Sequence, residues 1–303
     1  MRDPGPEATS RKPGATYDWR LMNIIDRGTG PPVVVIPGIQ GRWEWMEPAI
    51  TALAERGRAI TFSLADEPSA RAPFSEKAGV DNYVEQVRAA LDQRGLERAA
   101  ICGVSYGGLI AAMFAARYPE RTSSLILVSA LPPSWRPDAR VAFYTRFPWL
   151  LTPLFCLASL RLYQEFAAAN DTWLRGIQAA SAAGLNVLLH MFHPARMARR
   201  VHLLSSLFGK EDEQRRIEAE LRSVKVHTLI VTGEDALERV VPPSSTRQYL
   251  TLWPHARTMT LARTGHLGLI TRSAEFATLV SRFVSESAPR DDSVRSRAAY
   301  KSG

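Results

Sequence analysis

Hydrophobic and polar positions alternate along this chain in blocks. Short apolar runs, several of them β-branched, recur at Val33–Ile36, Ala59–Leu64, Ala99–Cys102, Leu125–Val128, Val226–Val231 and Thr258–Leu261. Continuous apolar runs of that length suit strands buried on both faces. Trp19–Ile25 reads as a further, first strand, ahead of the turn Gly28-Thr29-Gly30-Pro31-Pro32. Helical stretches lie between the runs, at about Glu47–Arg56, Asp81–Arg94, Leu109–Arg117 and Ala274–Val284. Such alternation predicts an α/β fold with a doubly wound, mostly parallel sheet, because parallel neighbours need crossover connections.

One interruption breaks the rhythm. No strand pattern is visible from Leu131 to Ser223, whereas Val141–Phe147, Phe166–Leu174, Gly184–Met191 and Glu211–Leu221 are compatible with helices. A stretch this long is no loop. It is expected to form an inserted helical cap over the carboxyl ends of the strands, where ligands bind in such sheets. The expected organisation is therefore a core of residues 15–130 and 224–287, a cap at 131–223, a disordered N-terminal tail at 1–14 and a polar tail at 288–303.

The most informative segment is Gly103-Val104-Ser105-Tyr106-Gly107-Gly108, placed between a predicted strand and a predicted helix. In that context the turn lifts Ser105 above the sheet edge, and the flanking glycines avoid collisions that any Cβ would make. A serine so presented can attack a carbonyl if a base and an oxyanion site are near. The best base is His266, in Thr264-Gly265-His266-Leu267-Gly268 after the last predicted strand. The orienting acid is read from Gly233-Glu234-Asp235-Ala236-Leu237-Glu238, which follows Val226–Val231. Spacing from Gly233 favours a residue near Asp235 or Ala236, and spacing back from Val241-Pro242 selects Glu238, which is preferred, with Asp235 as the alternative. Two backbone N–H groups should receive the oxyanion. Tyr106, directly after the nucleophile at a helix N-terminus, and Ile39, in Pro37-Gly38-Ile39-Gln40-Gly41, are the candidate donors.

Composition narrows the classes of partner. The chain has 303 residues, 46% of them hydrophobic, and a formal net charge of +8. Its basic residues are scattered without interleaved aromatics, so no nucleic-acid partner is expected. No Cys/His spacing suits zinc, and no metal or cofactor is expected. Cys102 and Cys156 form no disulfide framework, and the N-terminus lacks a signal-peptide core; both favour the cytoplasm. Phe147–Leu160 is apolar but holds Pro148 and Pro153 and falls short of the ~20 residues a spanning helix needs. Insertion into a bilayer is not expected, and peripheral contact with a membrane surface stays open.

Taken together, these residues resemble the α/β-hydrolase fold family over about residues 17–286. The order Ser105, acid, His266 matches that family, as do Gly28-x-Gly30-Pro31-Pro32, Gly103-x-Ser105-x-Gly107-Gly108 and Gly265-His266. Three positions depart from it. Pro37 stands where many members have histidine, Leu64-Ala65-Asp66-Glu67-Pro68 lacks a common glycine-rich continuation, and the acid is displaced along its loop. The resemblance implies a serine hydrolase that cleaves an ester, thioester or lactone of a small hydrophobic substrate through an acyl-enzyme. C–C bond hydrolases, acyltransferases and non-catalytic ligand-binding members of the fold are the alternatives. Phe143, Tyr144, Phe147, Trp149, Leu150, Leu154 and Phe155 are expected to pack between cap and sheet more than against substrate.

Overall fold

A computed structural model describes residues 18–150, 164–170, 175–178, 181–182, 185, 193–209 and 211–287. Seven strands form one sheet in the order β1-β3-β2-β4-β5-β6-β7. They are β1 (Ile25–Gly28), β2 (Pro32–Ile36), β3 (Arg58–Thr61), β4 (Ala99–Val104), β5 (Thr122–Val128), β6 (Thr228–Thr232) and β7 (Arg257–Thr260). Only the edge strand β1 runs antiparallel, with Ile25 opposite Thr61 and Gly28 opposite Arg58. The other pairings are parallel, including Val34 with Ile101 and Ile101 with Leu125. The fold is thus α/β with a mostly parallel sheet, as the block pattern predicts.

The side-chain period of two divides the apolar runs between two cores. Val34, Ile36, Ile101, Leu125, Leu127 and Ile230 share one face with α2 (Asp81–Gln93) and α3 (Tyr106–Arg117). Val33, Val35, Cys102, Val104, Ile126 and Val231 face α1 (Glu47–Ala54) and the closing helix α8 (Ser273–Ser287). Every residue of β4 is buried. That is why this strand reads as an unbroken apolar run.

The first strand differs from the expectation. Trp19–Leu21 forms a 3-10 turn, held where Asp18 Oδ1 accepts from the Arg20 N–H at 3.0 Å, and the strand begins only at Ile25. A local side-chain cap has won over extension there. The run Ala59–Leu64 also leaves the ladder early. Phe62 and Leu64 stay buried beyond β3, and the Leu64 N–H donates to the Gly41 carbonyl at 2.7 Å.

Between β5 and β6 the described elements are helical: α4 (Ala139–Arg146), α5 (Gln164–Ala169), α6 (Pro194–Phe208) and α7 (Glu211–Arg222). The 15-residue α6 is absent from the sequence expectations. Its signals were present: Pro194 at the first turn, and Val201, Leu204 and Phe208 at helical spacing. Most of Gly184–Met191 lies outside the described residues, as do Leu154 and Phe155. Both ends of the insertion are tied to the core by buried hydrogen bonds. Tyr249 Oη donates to the Leu131 carbonyl at 2.9 Å, and Trp253 Nε1 donates to the Leu221 carbonyl at 2.8 Å. The described members of the aromatic group expected between insertion and sheet are not buried there. Phe143, Phe147, Trp149 and Leu150 are 52, 53, 61 and 76% exposed, and α4 itself has no buried residue. Among the described residues, no helix is long and apolar enough to cross a membrane.

Candidate active site

The sheet ends on one edge in the loops after β2, β4, β6 and β7, which carry the candidate residues. Ser105, between β4 and α3, has φ +53° and ψ −114°, outside the regions a serine ordinarily adopts. Such a conformation costs on the order of 1–3 kcal/mol and persists only where the surroundings enforce it. Here the Ser105 N–H donates to the Val128 carbonyl at 2.8 Å, and its own carbonyl accepts from Gly108 N–H at 3.0 Å and Leu131 N–H at 3.2 Å. Gly107 allows the turn to approach β2 closely: a Cβ there would lie 2.5 Å from the carbonyl oxygens of Ile36 and Pro37.

The loop after β2 lies against the serine. A Cβ on Gly38 would sit 3.5 Å from Ser105 Cβ, and the Gln40 carboxamide folds back over Gly38. The loop closes through Gly41 N–H donating to the Gly38 carbonyl at 3.0 Å. Ile39, half-buried, and Tyr106, the first residue of α3, therefore flank Ser105 on adjacent segments. The Tyr106 ring is buried and meets Tyr83 edge-on, with centroids 5.9 Å apart.

His266 is the one buried histidine among the described residues; His202, His227 and His255 are exposed and His193 is half-buried. Its Nδ1 lies 3.2 Å from Glu238 Oε1, close but not aligned as a hydrogen bond. Contacts of this kind tighten when charge develops on the ring. Oε1 also accepts from the N–H groups of Val240 at 2.8 Å and Val241 at 3.0 Å. Burial pushes the Glu238 carboxyl up, but the His266 contact and the two backbone donors outweigh it, and the group is held below the usual glutamate value. Asp235 is exposed three residues earlier. The reason is local: Glu238 N–H donates to the Glu234 carbonyl at 2.9 Å, so residues 234–238 make one helical turn that carries the inward position from Asp235 to Glu238. The structure brings His266 and Glu238 together and leaves Asp235 aside.

Two buried charged groups near this edge have no counterpart in the sequence expectations. Arg200, on α6, is fully buried. Its Nε and Nη2 donate to Asp66 Oδ1 at 3.1 and 2.7 Å, Nη2 to Glu67 Oε1 at 2.5 Å, and Nη1 to the Ile39 carbonyl at 2.7 Å. The left-handed Gly41 makes room for it, since a Cβ there would fall 2.3 Å from the guanidinium. The unusual segment Leu64–Pro68 is thus the acidic half of a buried ion cluster. The second group is Glu165, on α5, which reaches the His266 loop. No group of three or more His, Cys, Asp or Glu side chains suited to a metal occurs among the described residues.

The sequence profile of the α/β hydrolase fold matches residues 31–154, a span that holds β2 to β5 and the Ser105 turn. The chain has the α/β-hydrolase fold. Relatives agree over nearly the whole length. The 2-hydroxy-6-oxo-2,4-heptadienoate hydrolase of Pseudomonas putida is 24% identical over 86% of this chain and 92% of its own. The pimeloyl-[acyl-carrier protein] methyl ester esterase of Aliivibrio salmonicida is 24% identical over 85% and 93%. The solved enol-lactonase of Burkholderia xenovorans LB400 superposes with a TM-score of 0.66 at 16% identity, covering 87% of this chain and 96% of that one. This α/β hydrolase is an enzyme whose relatives are hydrolases and esterases.

Proposed function

We propose that this hydrolase cleaves an ester-type bond (carboxylester, thioester or lactone) of a small apolar substrate through a Ser105 acyl-enzyme. The observation that carries the reading is a serine held at positive φ on the sheet edge that also carries a buried His266–Glu238 pair. Ser105 Oγ attacks the carbonyl carbon while His266 Nε2 takes its proton, and the N–H groups of Tyr106 and Ile39 receive the negative charge on the carbonyl oxygen. His266 then protonates the leaving group. Water, deprotonated by the same nitrogen, releases the acid and restores Ser105. Glu238 holds the Nδ1–H tautomer and offsets the imidazolium charge. The described helices between β5 and β6 act as a cap over this edge. Their buried cation, Arg200, is neutralised by Asp66 and Glu67, which supports an uncharged acyl group rather than an anionic one.

Covalent labelling by a fluorophosphonate is expected on wild type and not on Ser105→Ala; labelling that survives the substitution sinks the assignment. Hydrolysis of p-nitrophenyl esters should fall far more in Glu238→Ala than in Asp235→Ala. A second reading, C–C bond hydrolysis, is favoured by the Pseudomonas relatives, whose named substrates are 6-oxo dienoates and a semialdehyde. The same serine could attack a ketone carbonyl and expel a stabilised carbanion. Product analysis separates the readings: an alcohol or thiol from one, a new C–H bond from the other.

A further inference from the structure

Glu165 is 1% exposed on a six-residue helix of the insertion, and no other acid occurs between Asp138 and Asp171. Its Oε2 accepts from the N–H of Gly265 at 2.8 Å and of Leu267 at 2.9 Å, the two amides that flank His266. Oε1 is buried with no hydrogen-bond partner. Burying a carboxylate with half its acceptors unused is costly, so the group is not explained by packing alone. An apolar side chain of like size would fill the same space without that cost, but would leave two amide donors unsatisfied.

The geometry points to Glu165 as a positioning residue through which the insertion holds the His266 loop in its working conformation. This rests on the reading of His266 as the base. Fixing both neighbouring amides fixes the root of the imidazole, whose Nδ1 edge lies 3.2 Å from Glu238 Oε1. The backbone that carries the ring is then held on both sides of His266. The Leu267 carbonyl also starts the next helical turn, accepting from Ile270 N–H at 2.8 Å and Thr271 N–H at 2.9 Å, so disorder at Leu267 would spread. Among the described residues, Glu165 faces those two amides, the His266 ring and the Glu238 carboxylate.

The test compares Glu165→Gln, which keeps an acceptor oxygen, with Glu165→Met, which keeps volume and loses it. The readout is the rate of Ser105 labelling by a fluorophosphonate, separated into the maximal rate and the half-saturating concentration. Glu165→Met should lower the maximal rate by about 10²-fold, the loss typical of a misplaced catalytic group, with the half-saturating concentration little changed. Glu165→Gln should recover most of that rate. Equal loss in both variants, or an unchanged rate in a folded Glu165→Met, overturns the proposal. Should the Met variant fail to fold, amide exchange in the wild-type chain decides: Gly265 and Leu267 are expected to be protected, and exchange as fast as in an open loop overturns it. Failure of the underlying reading has a different signature, absence of Ser105 labelling in the wild type itself.

Discussion

Replacing Arg200 by Met should destabilise this hydrolase more than any surface substitution, through the two acids left behind. The methylene stem is largely retained in Met, so lost packing is small. What disappears is, among the described residues, the only guanidinium that reaches both Asp66, whose side chain is 0% exposed, and Glu67, at 1%. Glu67 keeps Arg196, whose Nη1 lies 3.1 Å from Oε2, but both hydrogen bonds to Asp66 Oδ1 come from Arg200 and Asp66 Oδ2 is buried with no hydrogen bond. Removing one partner of a buried ion cluster costs about 3–5 kcal/mol. For a chain of this size roughly 2 °C of Tm corresponds to each kcal/mol, so the melting temperature should fall by about 6–10 °C. High salt should change this little, because the cluster is shielded from solvent ions.

The assay is thermal unfolding of Arg200→Met beside the triple variant Arg200→Met/Asp66→Asn/Glu67→Gln. If unpaired charge is the cause, neutralising both acids recovers a large part of the loss, a strongly non-additive result expected of contacting groups. A single variant within 2 °C of wild type, or a triple variant no better than the single, would refute the reasoning. Activity adds a second readout. The Ile39 carbonyl loses its donor, the loop that offers the Ile39 N–H loosens, and kcat should fall by up to the ~10²-fold that one oxyanion donor is worth.

The remaining expectations concern the turn, the carboxylates and the buried thiol. Gly107→Ala forces a Cβ to 2.5 Å from two backbone oxygens of β2 and its following residue, so it should abolish fluorophosphonate labelling and lower Tm by several degrees; full labelling would count against the close approach. Melting temperature against pH should separate Glu238 from Glu165 by sign. The Glu238 carboxyl is held low, so its stabilisation is present above the ordinary glutamate value and is lost as pH falls through its lower folded value; the deficit of Glu238→Gln should shrink in acid. Burial pushes Glu165 up despite its two amide donors, so its contribution is fully present below the ordinary value and lost as pH rises through the raised one; the deficit of Glu165→Gln should shrink toward neutral pH. Slopes of the opposite sign would exclude these assignments. Burial pushes the Cys102 thiol up to about 12, and iodoacetamide should alkylate it only after denaturation; rapid alkylation of the native chain would show that β4 is open.

What could be read from the sequence was local, and what could not be read depended on distant partners. The Ser105 turn is legible because a buried strand, a glycine-flanked apex and a helix follow one another within about twenty residues. Glu238 is legible for a similar reason, since its distance from Val241 and Pro242 is fixed by the chain. The Trp19 strand misleads because an aspartate two residues from the Arg20 amide offers a competing turn, and apolar content alone does not reveal that competition. Arg200 meets its acids across 133 and 134 residues of chain, and Glu165 meets its amides across 100 and 102. No local pattern encodes such pairs, yet each left a trace. Asp66-Glu67 interrupts a loop that is usually glycine-rich, and Glu165 is a lone acid in an apolar and basic stretch. Both traces lead to the same arrangement: each half of the proposed chemistry, the oxyanion loop and the histidine loop, is held by one charged side chain from the inserted helices. An insertion that only covered the site would not need either charge. Variation in the insertion should therefore change turnover as well as substrate choice in this enzyme, because the groups that would shape the pocket share their helices with the groups that hold the catalytic loops.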